Sequence, residues 1–335
     1  MKTYRLSGAV LVVAFSLSAI TSCQESISPA TAYKDSLAQH KFIMPTFDAT
    51  VAYNYIAKQV SFGPRVPGSK AQQLCAAWMD SMLTKVCDTV YKQSVTVKGG
   101  DGKTLPCINL IGVINPKATK RILLLTHWDS RPWADMDAQN KDKPVLAADD
   151  GGSGVGVLIQ LAEQIKTTPL PADLGVDILL TDVEDYGKNE WGEDSYCLGT
   201  QYWAHHPHVP GYKAAFGILL DMVGGRYAQF PIEGFSTQYA RNVQLQVWNA
   251  ADKAGYSSYF PYVNGPDITD DHVPVNRITG IPTIDIINLS VTSQNVFAPH
   301  WHTLQDNMNI IDKNTLKAVG QTLLQVIYEN EPAHT

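Results

Sequence analysis

Acidic and imidazole side chains recur in short groups along this 335-residue chain. Asp149 and Asp150 stand in the glycine-rich stretch AADDGGSGVG, directly ahead of an apolar segment from Val155 to Ile165. Carboxylates placed just before a helix are expected to face its unpaired N–H groups and the positive end of its dipole. His127-Trp128-Asp129 ends one apolar run, Asp182, Glu184 and Asp185 follow a second, and Asp221 ends a third. Downstream come ITDDHVP, with Asp270, Asp271 and His272, and HWHTLQDN, with His300, His302 and Asp306. Any one of these has a plain structural explanation, since a strand-end Asp commonly caps or pairs and a lone His is commonly satisfied in place. Three successive runs ending this way point to one shared site. Carboxylate and imidazole donors without thiolates suit a catalytic zinc that keeps a position open for substrate. Neighbouring Glu184 and Asp185 leave the backbone on different bearings, so one can bind metal while the other stays free as a general acid/base. Other chemistries lack their motifs: there is no GxSxG elbow, no P-loop and no HExxH, and GGSGVG lacks the spacing of GxGxxG.

The elements that must position these groups follow from hydrophobic periodicity. Helices are expected at Ala49 to Val60 and Lys70 to Val86, and a hairpin from Thr89 to Val97 and Leu105 to Ile114. RILLLTHWD, LGVDILLTDVED and FGILLDMVG are short continuous apolar runs, the pattern of strands covered on both faces. Helices near Val155 to Ile165, Leu198 to Ala204 and Gln238 to Ala254 separate them from one another and from a further apolar run, Ile281 to Ile287, and Asp312 to Tyr328 closes as a helix. This alternation predicts a single α/β domain over residues 48–335, with a mostly parallel sheet flanked by helices on both faces and an antiparallel hairpin at its start. In open sheets of this kind ligands bind beyond the carboxyl ends of the strands, where the acidic groups fall.

The chain begins differently. Lys2 and Arg5 precede an apolar run from Ala9 to Ile20, too short for a comfortable transmembrane helix, which ends in Ile20-Thr21-Ser22-Cys23. This resembles a bacterial lipoprotein processing site, which implies a signal peptide over residues 1–22, a lipid on Cys23 and, from Gln24, the outer membrane over the inner one. Residues 23–47 are polar and read as a flexible tether. The four later cysteines, Cys75, Cys87, Cys107 and Cys197, show no zinc-knuckle spacing, and their pairing is not readable. Apolar content of 44% and charged content of 17% leave room for a substantial core. A formal net charge of -6 and the lack of any Lys/Arg-rich run argue against nucleic acid as the main partner.

HWD, ADDGGSG, DVEDYG…LGTQYWA, LLDMVG, DDHVP and WHTLQDN, in this order, resemble the zinc aminopeptidase-like family that includes the glutaminyl cyclases. The resemblance spans roughly residues 48 to 330. More narrowly, the chain is similar to the bacterial cyclases of the zinc-dependent, animal type. That implies one zinc per chain on Asp150, Asp185 and His302, Glu184 as general acid/base, and Asp221 and Asp270 sharing a proton network beside the substrate. It further implies Trp301 and Trp191 lining the pocket, with Tyr196 or Trp133 as alternatives to Trp191. The substrates would be peptides or exported proteins beginning with Gln, and the chain a monomer. The two-zinc aminopeptidases share most of these residues, with His127 and Asp221 on a second zinc and Asp150 bridging. Hydrolysis of N-terminal residues therefore stays open as the alternative. Trp301, where those peptidases commonly carry Tyr, and the Asp270-Asp271 pair favour the cyclase.

Overall fold

A computed structural model describes residues 44–290 and 296–329. Among these, six strands form one sheet in the order β1-β2-β4-β3-β5-β6. Helices α1 (Ala49–Val60) and α2 (Lys70–Val86) lead into the hairpin β1 (Thr89–Lys98) and β2 (Thr104–Ile114). Then come β3 (Lys120–His127), α3 (Gly152–Thr167), β4 (Leu174–Thr181) and α4 (Leu198–His205). The last part holds β5 (Phe216–Asp221), α5 (Gly234–Ala254), β6 (Thr283–Ile287) and α6 (Lys313–Tyr328). β2 runs antiparallel to β1 and β4, while β3 is parallel to β4 and β5, and β5 to β6. The expected mixed α/β architecture is what forms.

Local chemistry sets the helix starts. Asp48 accepts from Thr50 N–H and Val51 N–H, Ser69 from Gln72 N–H, and Asp312 from Asn314 N–H, each satisfying donors left open at a helix beginning. Alternate residues of the buried strands serve two cores, as the two-residue repeat of a strand requires. Ile122 and Leu124 join Ile56, Met79, Leu158, Trp248 and Leu323 on the face carrying α1, α2, α3, α5 and α6. Leu123 and Leu125 join Trp203, Tyr212 and Val275 on the face carrying α4. Because both faces are covered, β4 is buried at every position, which is why it reads as an apolar run, broken only by Asp177, whose carboxylate accepts from Arg121.

The register aligns the strand ends. His127 lies opposite Thr181, and Leu125 opposite Leu219, so Asp221 comes level with His127 at one edge of the sheet. The fold begins ahead of Asp48: Phe47 is buried, and its N–H donates to Gln321 on α6 at 3.0 Å. The signal segment, Cys23 and nearly all of the tether lie outside the described residues. No described helix is long and apolar enough to cross a membrane. Cys75, Cys87, Cys107 and Cys197 are all free thiols.

Candidate metal centre and active site

Beyond the strand ends the backbone adopts left-handed torsions at Ala147 (φ 54°), Val183 (φ 56°), Met222 (φ 49°) and His302 (φ 55°). Such torsions cost a non-glycine residue energy and persist only where the surroundings impose them. At Val183 the turn ends β4 and swings Glu184 and Asp185 toward the cavity. It is held by Leu198 N–H donating to Val183 O and Cys197 N–H donating to Glu184 O, both at 3.0 Å. Asp129 completes the clamp, its carboxylate accepting Glu184 N–H at 3.0 Å and Asp185 N–H at 3.2 Å.

The turn bearing Asp149 and Asp150 is held differently from the sequence expectation. Gly151 occupies the cap of α3 and no side chain caps the helix, so the two carboxylates do not point at its N–H groups. Instead the buried Asp306 accepts Asp149 N–H at 2.8 Å and Asp150 N–H at 3.1 Å. Burial, reinforced by Asp149 and Asp150, pushes the Asp306 carboxyl up to about 7. Asp149 is a bracket: one oxygen accepts Gly224 N–H at 2.7 Å and the other meets His300 Nε2 at 2.8 Å. Gly151 has φ +93°, and a Cβ there would stand 2.7 Å from Asp129 O and 2.8 Å from the His127 ring, so only glycine fits.

These supports bring Asp150, Asp185 and His302 together, with one ligand atom of each within 4.8 Å of the others. His302 Nε2 is 3.3 Å from Asp185 Oδ1 and 3.7 Å from Asp150 Oδ2. Asp185 Oδ2 is buried without a hydrogen-bond partner, leaving lone pairs that a cation would satisfy. Two oxygen donors and one imidazole, all buried, fit a catalytic-type zinc. The outer support is Arg131, which donates to Asp185 Oδ1 at 2.8 Å and bidentately to Asp135 at 2.8 and 2.6 Å. Asp135 Oδ1 in turn lies 3.3 Å from His302 Nδ1, the carboxylate–imidazole arrangement that orients ligating histidines. Neither Arg131 nor Asp135 emerged from the sequence; the only signal was their i,i+4 spacing just past β3.

A second group, His127, Asp150 and Asp221, also lies within 4.8 Å. His127 Nε2 is 3.0 Å from Asp150 Oδ1 and 3.3 Å from Asp221 Oδ1, while Nδ1 faces Asp129 at 3.3 Å. Asp150 thus belongs to both donor sets.

A cavity of about 500 Å³ opens onto these groups. Glu184, Asp221 and Asp270 line it on one side, and Trp301, Phe297, Ile268 and Ile287 form an apolar wall. The Trp301 ring stacks on His302 (centroids 3.6 Å apart) and on Phe297 (4.1 Å). Trp191 is not brought to the cavity. Its ring packs with Trp133 and Tyr186, 5.8 and 6.2 Å between centroids, and a Cβ on Gly100 of the hairpin turn would meet that ring at 2.8 Å. Tyr196 lines the cavity instead. Asp182 also faces away, accepting from Gln72 Nε2 at 2.7 Å and Ile108 N–H at 2.8 Å. Asp271 is structural, taking the Thr181 hydroxyl at 2.7 Å.

Burial raises the Glu184 carboxyl well above the ordinary range, against the attraction of His127, with Asp185 and Asp270 adding to the rise. Asp221 is pushed up to about 6, chiefly by burial, with the His127 contact opposing. Burial and then Asp221 and Asp271 raise Asp270 well above its usual value. Behind it stands Asp285 on β6, wholly buried and likewise raised by burial and by Asp270 and Asp221. Asp285 was missed in the sequence, although a lone Asp within the apolar TIDII is a mark of it.

Residues 109–327 match the model of peptidase family M28. The chain belongs to that family. Among solved structures of similar chains, glutaminyl cyclase from Bacteroides thetaiotaomicron is 46% identical, with a TM-score of 0.83 over 86% of this chain and 100% of that one. A Zn-dependent exopeptidase from Parabacteroides distasonis is 47% identical at the same TM-score, 0.83, over 86% and 100%. The glutaminyl-peptide cyclotransferase of Gloydius blomhoffii is 25% identical over 249 residues, 66% of this chain and 65% of the relative. The match therefore spans just under two thirds of the length of that curated relative. In this M28 chain the donors for a metal ion stand beside the cavity.

Proposed function

We propose that this M28 protein is a glutaminyl-peptide cyclotransferase, converting N-terminal glutamine to pyroglutamate with release of ammonia. The observation that carries the reading is the shared cavity: three carboxyls, Glu184, Asp221 and Asp270, line it together with the apolar side chains of Trp301, Phe297, Ile268 and Ile287. Glutamine's short amphipathic side chain suits such a slot. Asp150, Asp185 and His302 would hold one zinc ion, which would supply a Lewis acid for the side-chain carbonyl oxygen. Glu184 takes a proton from the α-amine as its nitrogen bonds to the side-chain carbonyl carbon, then delivers it to the departing amide nitrogen as the old C–N bond at that same carbon breaks. Asp221 and Asp270 hold that nitrogen, which needs at least one of these close, buried carboxyls to keep its proton. Trp301 and Phe297 confine the side chain near the α-amine and exclude water, favouring ring closure over hydrolysis. In this one-metal reading His127, 3.0 Å from Asp150 and 3.3 Å from Asp221, hydrogen-bonds to both carboxylates and binds no second ion.

Those same contacts carry the second reading, a di-zinc aminopeptidase with His127 and Asp221 on the second ion. Gln-initiated and Ala-initiated dipeptides separate the two. Ammonia and pyroglutamyl product from the former alone support the cyclase; free amino acids from both overturn it. The exported-lipoprotein reading of residues 1–23 implies a membrane-anchored enzyme acting on exported proteins with N-terminal Gln. Acyl labelling that disappears in Cys23→Ala tests the anchor, and light scattering tests the expected monomer.

A further inference from the structure

Cys197 has no part in the proton transfer, yet it lies against the residue that performs it. Its torsion is left-handed (φ 55°) at the start of α4, and its own N–H is tied to Glu184 O at 3.0 Å. That turn sets Sγ 3.5 Å from Glu184 Oε1. Asp270 approaches from a separate loop, and one donor atom from each of Glu184, Cys197 and Asp270 lies within 4.8 Å of the others. The thiol also forms part of the wall of a second cavity, of about 190 Å³, bounded by Thr269, Val273 and Arg277. Tyr196 and Thr269 line both cavities, so the two adjoin, and Cys197 belongs to the side cavity while lying against Glu184 of the main one. Behind Asp270, neither carboxyl oxygen of the buried Asp285 has a hydrogen-bond partner of regular geometry. Among the described residues no Lys or Arg pairs with Glu184, Asp270 or Asp285, and the basic group nearest in reach is His127, 3.9 Å from Glu184, so the cluster carries an excess of acids that a cation would offset.

We infer that Glu184, Cys197 and Asp270 form a second cation site, for a soft divalent ion, whose occupation stops turnover. One thiolate and two carboxylates make a donor set that a thiophilic ion prefers and a hard ion such as magnesium does not. Binding breaks the S–H bond, forms a sulfur–metal bond and releases the proton to solvent. The bound ion also takes the Glu184 lone pairs that would accept the substrate's proton. Inhibition, though not binding, rests on the assignment of Glu184 as acid/base.

Cadmium is the probe, added to the zinc-loaded full chain. Thiolate-to-cadmium absorption, retained zinc and turnover are followed together. One cadmium per chain with the absorption band, zinc retained and activity lost is the expected result. Cys197→Ala should abolish the band and raise the inhibitory concentration roughly tenfold or more, measured against that variant's own uninhibited rate. Cys197→Ser, which keeps the side-chain size, guards against a folding defect in the alanine variant, and the half-buried Cys87 serves as control through Cys87→Ala. A band that survives Cys197→Ala or follows Cys87, or zinc leaving in step with cadmium uptake, overturns the site. A Cys197-dependent band with full turnover overturns the role of Glu184 instead.

Discussion

Asp129, just past the end of β3, holds Glu184, just past the end of β4, by its main chain: the Glu184 N–H donates to Asp129 Oδ1 at 3.0 Å. One strand end thereby fixes the acid of the next, and the Glu184 carboxyl is left to the cavity. Glu184→Gln keeps this backbone bond and the side-chain size while removing the titratable group. Turnover should fall by about two to four orders of magnitude with zinc content unchanged. Steady-state rates and metal analysis on the same preparation check it, and persisting activity would displace Glu184 from its role.

The two donor sets that share Asp150 make different claims on metal. His302→Gln should release the ion, because it removes the sole imidazole of the Asp150–Asp185–His302 set. His127→Asn should leave zinc at one per chain, since in the one-metal reading His127 only hydrogen-bonds. Metal content after purification without added zinc decides this, and two ions in the parent protein falling to one in His127→Asn would establish the di-zinc reading.

Trp301 and Trp191 should separate cleanly. Trp301→Ala strips the stack on His302 and the apolar wall, and KM should rise about tenfold for the loss of roughly 1–1.5 kcal/mol of aromatic contact. Trp191→Ala should leave KM unchanged and lower stability, by less than the about 3 kcal/mol typical of a fully buried aromatic. Dipeptide kinetics and denaturant unfolding of both variants make the comparison.

Glu233 offers a pH test away from the metal. Its carboxylate accepts N–H from Phe235 at 2.8 Å, Ser236 at 2.6 Å and Ile268 at 2.9 Å, and lies 3.2 Å from His272 Nε2. Burial pushes its pKa up, but the His272 contact and the N–H bonds outweigh burial and leave it below the ordinary value. A depressed carboxylate stabilises the fold above its unfolded pKa, about 4.3, and that contribution fades as pH falls through the folded value. Glu233→Gln should therefore be less stable than the parent at neutral pH, with the gap narrowing in acid. Unfolding midpoints of both proteins across that range give the result, and a gap independent of pH would contradict it.

Much of the framework was legible in the chain. The helices Ala49–Val60 and Lys70–Val86 follow from periodicity and from the caps Asp48 and Ser69, which are local properties. The buried strands announced themselves as short apolar runs, Asp177 in β4 and Asp285 in β6 excepted, and the acids at their ends pointed to one site. Asp149 stood beside Asp150 with no readable role, because its partners, Gly224 and His300, are 75 and 151 residues away. Trp191 read as a pocket residue by its place in a motif, yet the irregular loop Lys188–Cys197 turns its ring onto the hairpin. Arg131, Asp135 and Asp285 are ordinary residue types in ordinary positions until the fold places them against the donors.

The donor types and the strand ends that carry them were legible in the chain, because capping and periodicity depend on near neighbours. Packing across the fold settled which carboxylate faces the cavity, which one braces a turn and which aromatic forms the wall. Those outcomes rest on left-handed turns at Val183 and His302 and on carboxylates reaching across the chain, as Asp306 does to Asp150 over 156 residues. Burial then sets how tightly each acid keeps its proton, and burial exists only once the chain has packed.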